Sequence, residues 1–357
     1  MARPTRPQVT ISDVAIAAGV SKSTASRVLA GRGSASSSAH QKVSAAAKKL
    51  GYTPNALAKA MKSGSSNTIG VVIPDLANPF FSTVMRGLSD AARTAGFEVI
   101  ITNTDNDVDI EIRALALLDE KRVDGLVIAP VFQTGSEAID TLRERGTPMV
   151  FFDRRGPSRN STPVVSLDHL NASRLATDHL LDLGHERIAI VTEAGNDLDT
   201  LRDYHGDPGL LRPSSQRLVG YLAALAARGI TADRDLVIHS EYDRADAARQ
   251  VRERLEKSHD ITALYGTDSV LTSGAFLALL DLGVSYPDDL SFLGFDDQEW
   301  STMVRPSVTV VSQPRYRLGA TAATCLIERI RHPEAELDDI QLPATLTIRD
   351  STARLVR

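Results

Sequence analysis

Short apolar runs alternate with longer segments of helical periodicity from residue 69 to the end of the chain. The runs form two series, at residues 69–73, 97–102, 125–129 and 148–152, and then at 187–192, 236–240, 261–266 and 291–295. Stretches such as 79–95 and 107–121 separate the runs with helical spacing. Uninterrupted apolar strands between helices predict parallel sheets that are covered on both faces. Two series predict two α/β lobes, with a ligand cleft beyond the carboxyl ends of the strands.

The N-terminal segment has a different pattern, which predicts two short helices joined by a tight turn. Thr10 and Asp13 have the spacing of a capping box at the start of the first helix, and Gly19 ends it. Ser21 is placed to cap a second helix over residues 22–30. Two helices separated by a three-residue turn that contains glycine predict a helix-turn-helix, the motif that places its second helix in the major groove of DNA.

The second helix has one polar and one apolar face. At 100° per residue, its polar side chains fall within about 140° of arc. These side chains are Lys22, Ser23, Ser26 and Arg27. Residues 25, 28 and 29 are apolar and lie on the opposite side. Arg27 is the candidate for bidentate recognition of a guanine edge. The alternative is an ordinary solvated helix face.

A third helix is expected between Ser36 and Gly51, and a short hinge follows it. Asn55 can cap an alanine-rich helix that ends before the soft segment 63–67. A helix of this length is unstable alone in water, so we expect it to form only against a partner helix and DNA.

The charge distribution supports a nucleic-acid partner, although the whole chain carries a net charge of −5. Residues 1–67 contain ten Lys and Arg and one acid, Asp13, so the remaining 290 residues carry −14. A basic module on an acidic body is typical of nucleic-acid binding. The alternative is a basic solvated arm without a partner.

No apolar run reaches the roughly 18–20 residues of a membrane span and no signal peptide is evident, so we expect a cytoplasmic protein with no membrane partner. Cys325 is expected to be a buried structural thiol.

Enzyme motifs are missing from the strand ends. No strand is followed by GxxxxGK or GxGxxG, and no serine lies in a GxSxG elbow. His169, His179 and His185 have no cysteine partners, and their separations match no helical metal pair, so we expect structural histidines and no cofactor. Two alternatives remain. An α/β sugar-processing enzyme would turn over a bound sugar, and a DNA-binding protein without an effector would show no ligand-dependent thermal shift.

The N-terminal segments VTISDVAIAAGVSKSTASRVL and KKLGYTPNALAKAMKSGSSNTIGVVIP resemble the DNA-binding head and hinge of the lactose-repressor (LacI/GalR) family. The resemblance implies a DNA-binding domain at 1–54 and a hinge helix and linker at 55–67. It also implies that two subunits pair their hinge helices in the minor groove, with Met61 as the apolar wedge and Lys62 on the groove floor or a phosphate. The candidate DNA-binding residues are Thr10, Ser21, Lys22, Ser23, Ser26, Arg27, Ser36, Tyr52, Asn55, Ala58, Met61 and Lys62.

The resemblance continues through the rest of the chain. It is carried by NPFF (78–81), VDGLVIAP (123–130), LLDLGHERIAIV (180–191), RLVGY (217–221), LGFDD (293–297) and QPRYRLG (313–319). It implies an effector-binding and dimerisation core of the periplasmic-binding-protein type over 68–357. In that fold the chain crosses between lobes three times. The expected lobes are about 68–170 plus 314–336, and 171–313 plus 337–357.

The resemblance also implies the candidate effector contacts, which are Phe80, Phe81, Asp153, Arg217, Tyr242, Asp268 and Asp296. Aromatic rings can pack on a sugar, and charged strand-end groups can bind hydroxyl pairs. Core packing, salt bridges and helix capping are their alternative roles. Relatives commonly carry asparagine at the position of Asp268. The segment 195–214 is longer than usual and can reshape or cover the cleft, and Trp300 is expected to pack beside it.

Together these features predict a homodimeric regulator, most simply a repressor, that binds double-stranded operator DNA. Its effector is expected to be a sugar, sugar phosphate or nucleoside bound between the lobes. The scaffold is compatible with an inducer or a corepressor.

Overall fold

A computed structural model of the chain describes residues 9–29, 36–52, 65–131, 136–156, 162–194 and 198–356. The chain forms two compact units, Met1–Asn67 and Thr68–Arg357. None of the helices within these ranges has the length and apolar character needed to span a membrane. The predicted hinge helix, including Asn55, Ala58, Met61 and Lys62, lies outside the described residues.

The first unit contains the three expected helices. They are α1 (Ile11–Ala18), α2 (Lys22–Leu29) and α3 (Ser37–Leu50). The capping box at α1 is present, since Asp13 accepts from the Thr10 backbone N–H at 2.8 Å and its own N–H donates to Thr10 Oγ1 at 3.4 Å. Gly19 ends α1 with a φ of 64°, a conformation that suits glycine. The helix-turn-helix prediction is confirmed for the described residues.

Small apolar residues form the core of this unit. Its buried members are Val14, Ala15, Ala18, Ala25, Val28, Val43 and Ala46. Val14 and Ala25 are fully buried, and they come from the two helices on either side of the turn. Burial of one stripe of each helix fixes the angle between α1 and α2, so the polar face of α2 remains outside the core.

Two six-stranded sheets form the second unit. The first has the order β11-β5-β4-β3-β1-β2, and the second has the order β12-β10-β9-β8-β6-β7. Their strands are β1 (Thr68–Ile73), β2 (Glu98–Asn103), β3 (Gly125–Ile128), β4 (Met149–Phe152), β5 (Val164–Leu167), β6 (Ile188–Thr192), β7 (Val237–His239), β8 (Ala263–Gly266), β9 (Ser291–Phe295), β10 (Thr309–Ser312), β11 (Ile340–Leu342) and β12 (Thr345–Thr347). All described pairings are parallel except that of β10 with β12. This confirms the predicted two-lobed α/β core with parallel sheets.

Helices cover both faces of each sheet. The helices of the first lobe are α4 (Pro79–Thr94), α5 (Val108–Glu120), α6 (Glu137–Glu144) and α13 (Arg315–Arg331). Those of the second lobe are α7 (His169–Asp182), α8 (Leu198–Arg202), α9 (Pro213–Ala227), α10 (Arg244–Lys257), α11 (Ser269–Leu282) and α12 (Glu299–Met303). Helices α4 and α13 approach so closely that a Cβ on Gly319 would lie 1.9 Å from the Val84 carbonyl oxygen. Glycine is therefore required at this crossing.

One predicted lobe boundary is wrong. Residues 337–342 were expected in the second lobe, but Ile340–Leu342 pairs with Val165–Leu167 in the first sheet. The third crossing therefore falls between Leu342 and Thr345, after the edge strand β11. The backbone groups of a three-residue edge strand gain hydrogen-bond partners by joining β5, a gain that the apolar pattern does not reveal.

Candidate functional site

The outer face of α2 presents the polar side chains expected to contact DNA. Lys22, Ser23 and Arg27 are exposed and Ser26 is half-buried, whereas Ala25 and Val28 are buried on the opposite side. Arg27 is exposed on a helix whose other face is anchored in the core of this unit. This arrangement presents donors on a rigid support, as major-groove recognition requires.

The other predicted head residues stabilise helix starts or the core. Ser21 Oγ accepts from the Thr24 backbone N–H at 3.1 Å, and Ser36 Oγ accepts from the Ala39 N–H at 3.3 Å. Tyr52 is half-buried against the helical core of this unit. Helix starts carry free N–H groups and partial positive charge, so capping does not prevent these segments from facing a phosphate.

A cavity of about 200 Å³ lies between the lobes of the second unit. It is lined by all seven predicted effector residues, Phe80, Phe81, Asp153, Arg217, Tyr242, Asp268 and Asp296. The structure thus brings together side chains that are up to 216 positions apart in the sequence. Each polar member stands at a strand end or the start of a helix, where parallel strands of both sheets direct their carboxyl ends toward the cleft.

Aromatic rings form one wall of this cavity. The Phe80 ring meets Phe81 edge to face, with centroids 4.9 Å apart, and stacks on Phe152 at 6.1 Å. Phe80 and Phe81 are 6% and 5% exposed, so both rings also belong to the core of the first lobe. Packing and ligand contact are compatible roles here, because a rigid apolar surface is what the C–H face of a sugar ring contacts.

Arg217 is the central cation of the cavity. It is 8% exposed, its Nη1 donates to the Thr267 carbonyl at 2.7 Å, and its guanidinium lies 4.2 Å over the Phe295 ring. Its Nε and Nη2 donate to His169 Nδ1 at 3.3 and 3.2 Å. A guanidinium has five N–H groups, so donors remain for a ligand while the plane stays fixed.

Asp153 and Asp296 occupy matching strand ends in the two lobes. Each follows the strand third in its sheet order, β4 or β9, and each is in the left-handed region, with φ of 65° and 69°. Asp296 accepts from Gln313 Nε2 at 2.8 Å. Burial raises the pKa of both carboxyls, against the lowering effect of nearby arginines that include Arg217. Strained, buried carboxylates of this kind are characteristic of functional sites.

Asp268 caps α11 and also borders the cavity. Its Oδ1 accepts from the backbone N–H groups of Val270 and Leu271 at 2.8 and 2.9 Å. The capping role raised from the sequence is therefore present. Burial raises the pKa of the Asp268 carboxyl to about 7, because desolvation outweighs the helix N–H donors and Arg217.

A hydrogen bond across the cleft connects Tyr242 of the second lobe to Asn78 of the first. Asn78 Nδ2 donates to the Tyr242 hydroxyl, and Asn78 Oδ1 accepts from the Phe80 N–H at 2.9 Å. Burial raises the pKa of Tyr242, so its hydroxyl remains protonated at neutral pH. The Asn78–Tyr242 bond joins the two lobes at the cavity wall.

Sequence reasoning missed several cavity residues. Asn78, Arg154, Glu193, Arg212 and Gln313 also line the cavity. Asn78 and Gln313 are the first residues of the segments NPFF and QPRYRLG that carry the family resemblance, so these segments were the available signal. Arg212 belongs to the long segment 195–214, whose described part reaches the cavity through residues 212–214, while 195–197 lie outside the described residues.

Trp300, Cys325 and His169 have well-defined surroundings. Trp300 packs on Phe276 with ring centroids 4.9 Å apart and is not among the cavity-lining residues. Cys325 is buried, as expected. No cluster of three metal-ligating side chains occurs among the described residues. His169, expected to be structural only, contacts the cavity arginine.

Comparisons with known proteins match both units. The model of bacterial regulatory proteins of the lacI family matches residues 10–55, and the model of periplasmic binding proteins and the sugar binding domain of the LacI family matches residues 66–350. The chain is 32% identical to catabolite control protein A of Priestia megaterium over 348 residues, which cover 96% of this chain and 99% of that protein.

Solved structures of LacI family proteins also match this chain. A LacI family transcriptional regulator from Enterococcus faecium, with bound ribose, is 31% identical and has a TM-score of 0.69 over 81% of this chain and 100% of that one. The lac repressor dimer bound to operator and an anti-inducer is 25% identical, with a TM-score of 0.81 over 97% of this chain and 100% of that one.

Proposed function

Because the chain belongs to the LacI family of bacterial regulatory proteins, we propose that it is a repressor whose operator affinity is set by a small polyhydroxylated effector in the cavity between the lobes. It is a transcription regulator and not an enzyme. The observation that supports the effector site is the convergence of Arg217, Asp153 and Asp296 on one cavity beside an aromatic wall. We place its action in the cytoplasm, where the operator DNA is.

The charge of the cavity favours a neutral ligand over a sugar phosphate. Its lining contains five carboxyl groups, from Asp75, Asp153, Glu193, Asp268 and Asp296, and three guanidinium groups, from Arg154, Arg212 and Arg217. With Asp268 protonated the lining still carries no excess of positive charge. A phosphate dianion would therefore meet repulsion, whereas hydroxyl groups can donate to the carboxylates and accept from Arg217.

The size of the cavity favours a monosaccharide or a similarly small polyol. A volume of about 200 Å³ is below the roughly 300–1,000 Å³ of pockets for drug-sized ligands. The similar structure from Enterococcus faecium holds ribose. We propose a ligand of that size, with one ring face on Phe80 and its hydroxyl pairs on Arg217 and Asp296.

Operator binding by a homodimer completes the proposal. Two heads are needed to recognise a two-fold operator, because one recognition helix reads only one half-site. Binding in the cavity changes the angle between the lobes and thereby the spacing of the two hinges. The proposed DNA contacts are those of the exposed α2 face, with Lys22, Ser23 and Arg27 at their centre.

The test combines a thermal-shift panel with gel retardation. The purified full chain is screened against D-ribose, D-glucose, cellobiose, adenosine and ribose 5-phosphate. Genomic DNA fragments that carry the operator are enriched by their binding to the protein. Compounds that raise the melting temperature are then added to complexes of the protein with these fragments. We expect a neutral sugar to stabilise the core and to change retardation, in either direction. Stabilisation by ribose 5-phosphate alone would contradict the charge argument.

Asp296→Ala separates ligand contact from structural capping. We expect this variant to lose the thermal shift and the effect of the sugar on DNA while keeping effector-free operator binding. Asp288→Ala is the matched control, because Asp288 is an exposed aspartate of the same lobe outside the cavity. A folded Asp296→Ala protein that still responds to the sugar would refute this assignment.

A further inference from the structure

The two strand-end aspartates of the cavity are each approached by a residue at a chain crossing. In the second lobe, Gln313 follows β10, the neighbour of β9, and the chain then passes into the first lobe. At the other crossing, His169 follows β5 of the first lobe, the neighbour of β4, and begins α7 of the second lobe. His169 and Gln313 are therefore topological counterparts.

Each of the two residues faces its aspartate, but only Gln313 forms a hydrogen bond to it. Gln313 Nε2 donates to Asp296 Oδ1 at 2.8 Å, whereas His169 Nε2 lies 3.7 Å from Asp153 Oδ1, beyond hydrogen-bond distance. His169 has a second partner on the opposite side of its ring, because its Nδ1 accepts from Arg217. His169 therefore stands between a carboxylate of the first lobe and the cavity cation of the second.

The chemistry of these partners fixes the protonation state of the ring. Arginine can only donate, so an Nδ1 that accepts from Arg217 carries no proton, and the single ring proton is on Nε2, facing Asp153. The imidazole is fully buried. Burial lowers the pKa of His169 well below its ordinary value, and Arg217 and Arg154 lower it further, against the raising effect of the Asp153 backbone. The charged groups that face the ring are thus Asp153, Arg154 and Arg217.

We infer that His169 is a positioning residue of the effector site, a neutral Nε2–H imidazole that holds the Arg217 guanidinium in place from the first chain crossing while its N–H faces Asp153. The inference rests on the proposed function for the identity of the site, but the contacts themselves exist without ligand. Without His169, Arg217 would keep only its bond to the Thr267 carbonyl and its contact with Phe295. Its plane would then be free to turn away from the cavity.

The substitution His169→Gln tests whether an amide can replace the imidazole. The protein already has a glutamine, Gln313, at the corresponding chain crossing of the other lobe. A glutamine carbonyl can accept from Arg217 while its amide donates toward Asp153, as the Gln313 amide donates to Asp296. His169→Leu fills similar space but can do neither. His259→Leu is the matched control, because His259 is exposed and lies outside the cavity.

Nuclear magnetic resonance of the ligand-free full chain tests the inference directly. The protein contains eight histidines, and ¹⁵N-histidine labelling with the His169→Gln variant identifies the signal of His169. We expect the Nε2–H tautomer and no protonation between pH 7.5 and 5.5. A ring that carries its proton on Nδ1, or that titrates near the ordinary histidine pKa of about 6.5, would overturn the assignment.

Arginine labelling provides the second readout. We expect the Arg217 Nε–H to exchange slowly with solvent in the wild type, in His169→Gln and in His259→Leu, and rapidly in His169→Leu. Rapid exchange in His169→Gln would overturn the inference even if His169→Leu fails to fold. Sugars that bind in the panel above should bind His169→Leu about tenfold more weakly, a change of about 1.4 kcal/mol, and His169→Gln nearly as well as the wild type. Slow exchange of Arg217 in a protein that binds no compound of the panel would refute the proposed effector while leaving the role of His169 intact.

Discussion

Asp268→Asn isolates the cost of burying one carboxyl group. Asp268 is 7% exposed, and burial raises its pKa from 3.8 to about 7. Asparagine keeps a side-chain oxygen that can accept from the Val270 and Leu271 N–H groups, so the cap of α11 survives. Only the titrating charge is removed, which makes the pH dependence of stability the informative measurement.

The sign and size of the effect follow from linkage. Between pH 4 and 7 the folded wild type holds a proton that the unfolded chain releases. The stability that Asp268 contributes is therefore fully present below about pH 4 and is lost as the pH rises through 7. Each pKa unit is worth about 1.36 kcal/mol, so the total is about 4 kcal/mol. We expect the free energy of unfolding of Asp268→Asn, minus that of the wild type, to rise by about 3 kcal/mol from pH 5 to 8.5.

Urea unfolding followed by tryptophan fluorescence measures this difference for the structural unit Thr68–Arg357, which contains Asp268. Trp300 is the single tryptophan and packs on Phe276 in the second lobe. Burial lowers the pKa of His169, His179 and His185, but their pH dependence is common to both proteins and cancels in the difference. Asp288→Asn, at an exposed site of the same lobe, is the matched control for the substitution itself. A difference for Asp268→Asn that stays constant between pH 5 and 8.5 would refute the reasoning.

Three further substitutions test the head, the cleft and the packing of the first lobe. Arg27→Ala should weaken operator binding by about 1–3 kcal/mol in gel retardation and spare random DNA; an equal loss on both would identify Arg27 as a phosphate contact. Tyr242→Phe removes the bond from Asn78 across the cleft and should lower the free energy of unfolding by about 1 kcal/mol in the urea assay, so an unchanged value would mean that water replaces the bond at no cost. Gly319→Ala places a methyl group against the Val84 carbonyl and should destabilise the core by about 1–3 kcal/mol in thermal denaturation; a wild-type melting temperature would show that α4 and α13 can separate freely.

Local signals determined the elements of the head and most strands of the core. Thr10 and Asp13 form the predicted capping box, and Gly19 ends the first helix in the left-handed conformation. The eight apolar runs correspond to eight of the twelve strands in the described residues. These features follow from the sequence because capping, backbone conformation and burial of a continuous apolar run depend on neighbours a few positions away.

The short strands at and beside the sheet edges were not evident from the sequence. β5, β10, β11 and β12 are three or four residues long, and β11 belongs to the first lobe although it follows the last helix of the chain. Their sequences, VVSL, TVVS, IQL and TLT, are interrupted by serine, threonine or glutamine, so these strands do not stand out as apolar runs. Their backbone partners in the sheets decide their conformation, and those partners are known only from the fold.

The candidate site combines both kinds of information. The rule that parallel strands end at a cleft, together with the family resemblance, predicted seven cavity residues, but it did not predict how they are held. Asn78 meets Tyr242 across 164 positions, and Arg217 meets His169 across 48. Sequence separations among the histidines indicated only that no metal pair was present. The positioning role of His169 depends on a buried contact between distant segments, and the energy of such a contact comes from desolvation and geometry that exist only once α7 and α9 are packed together.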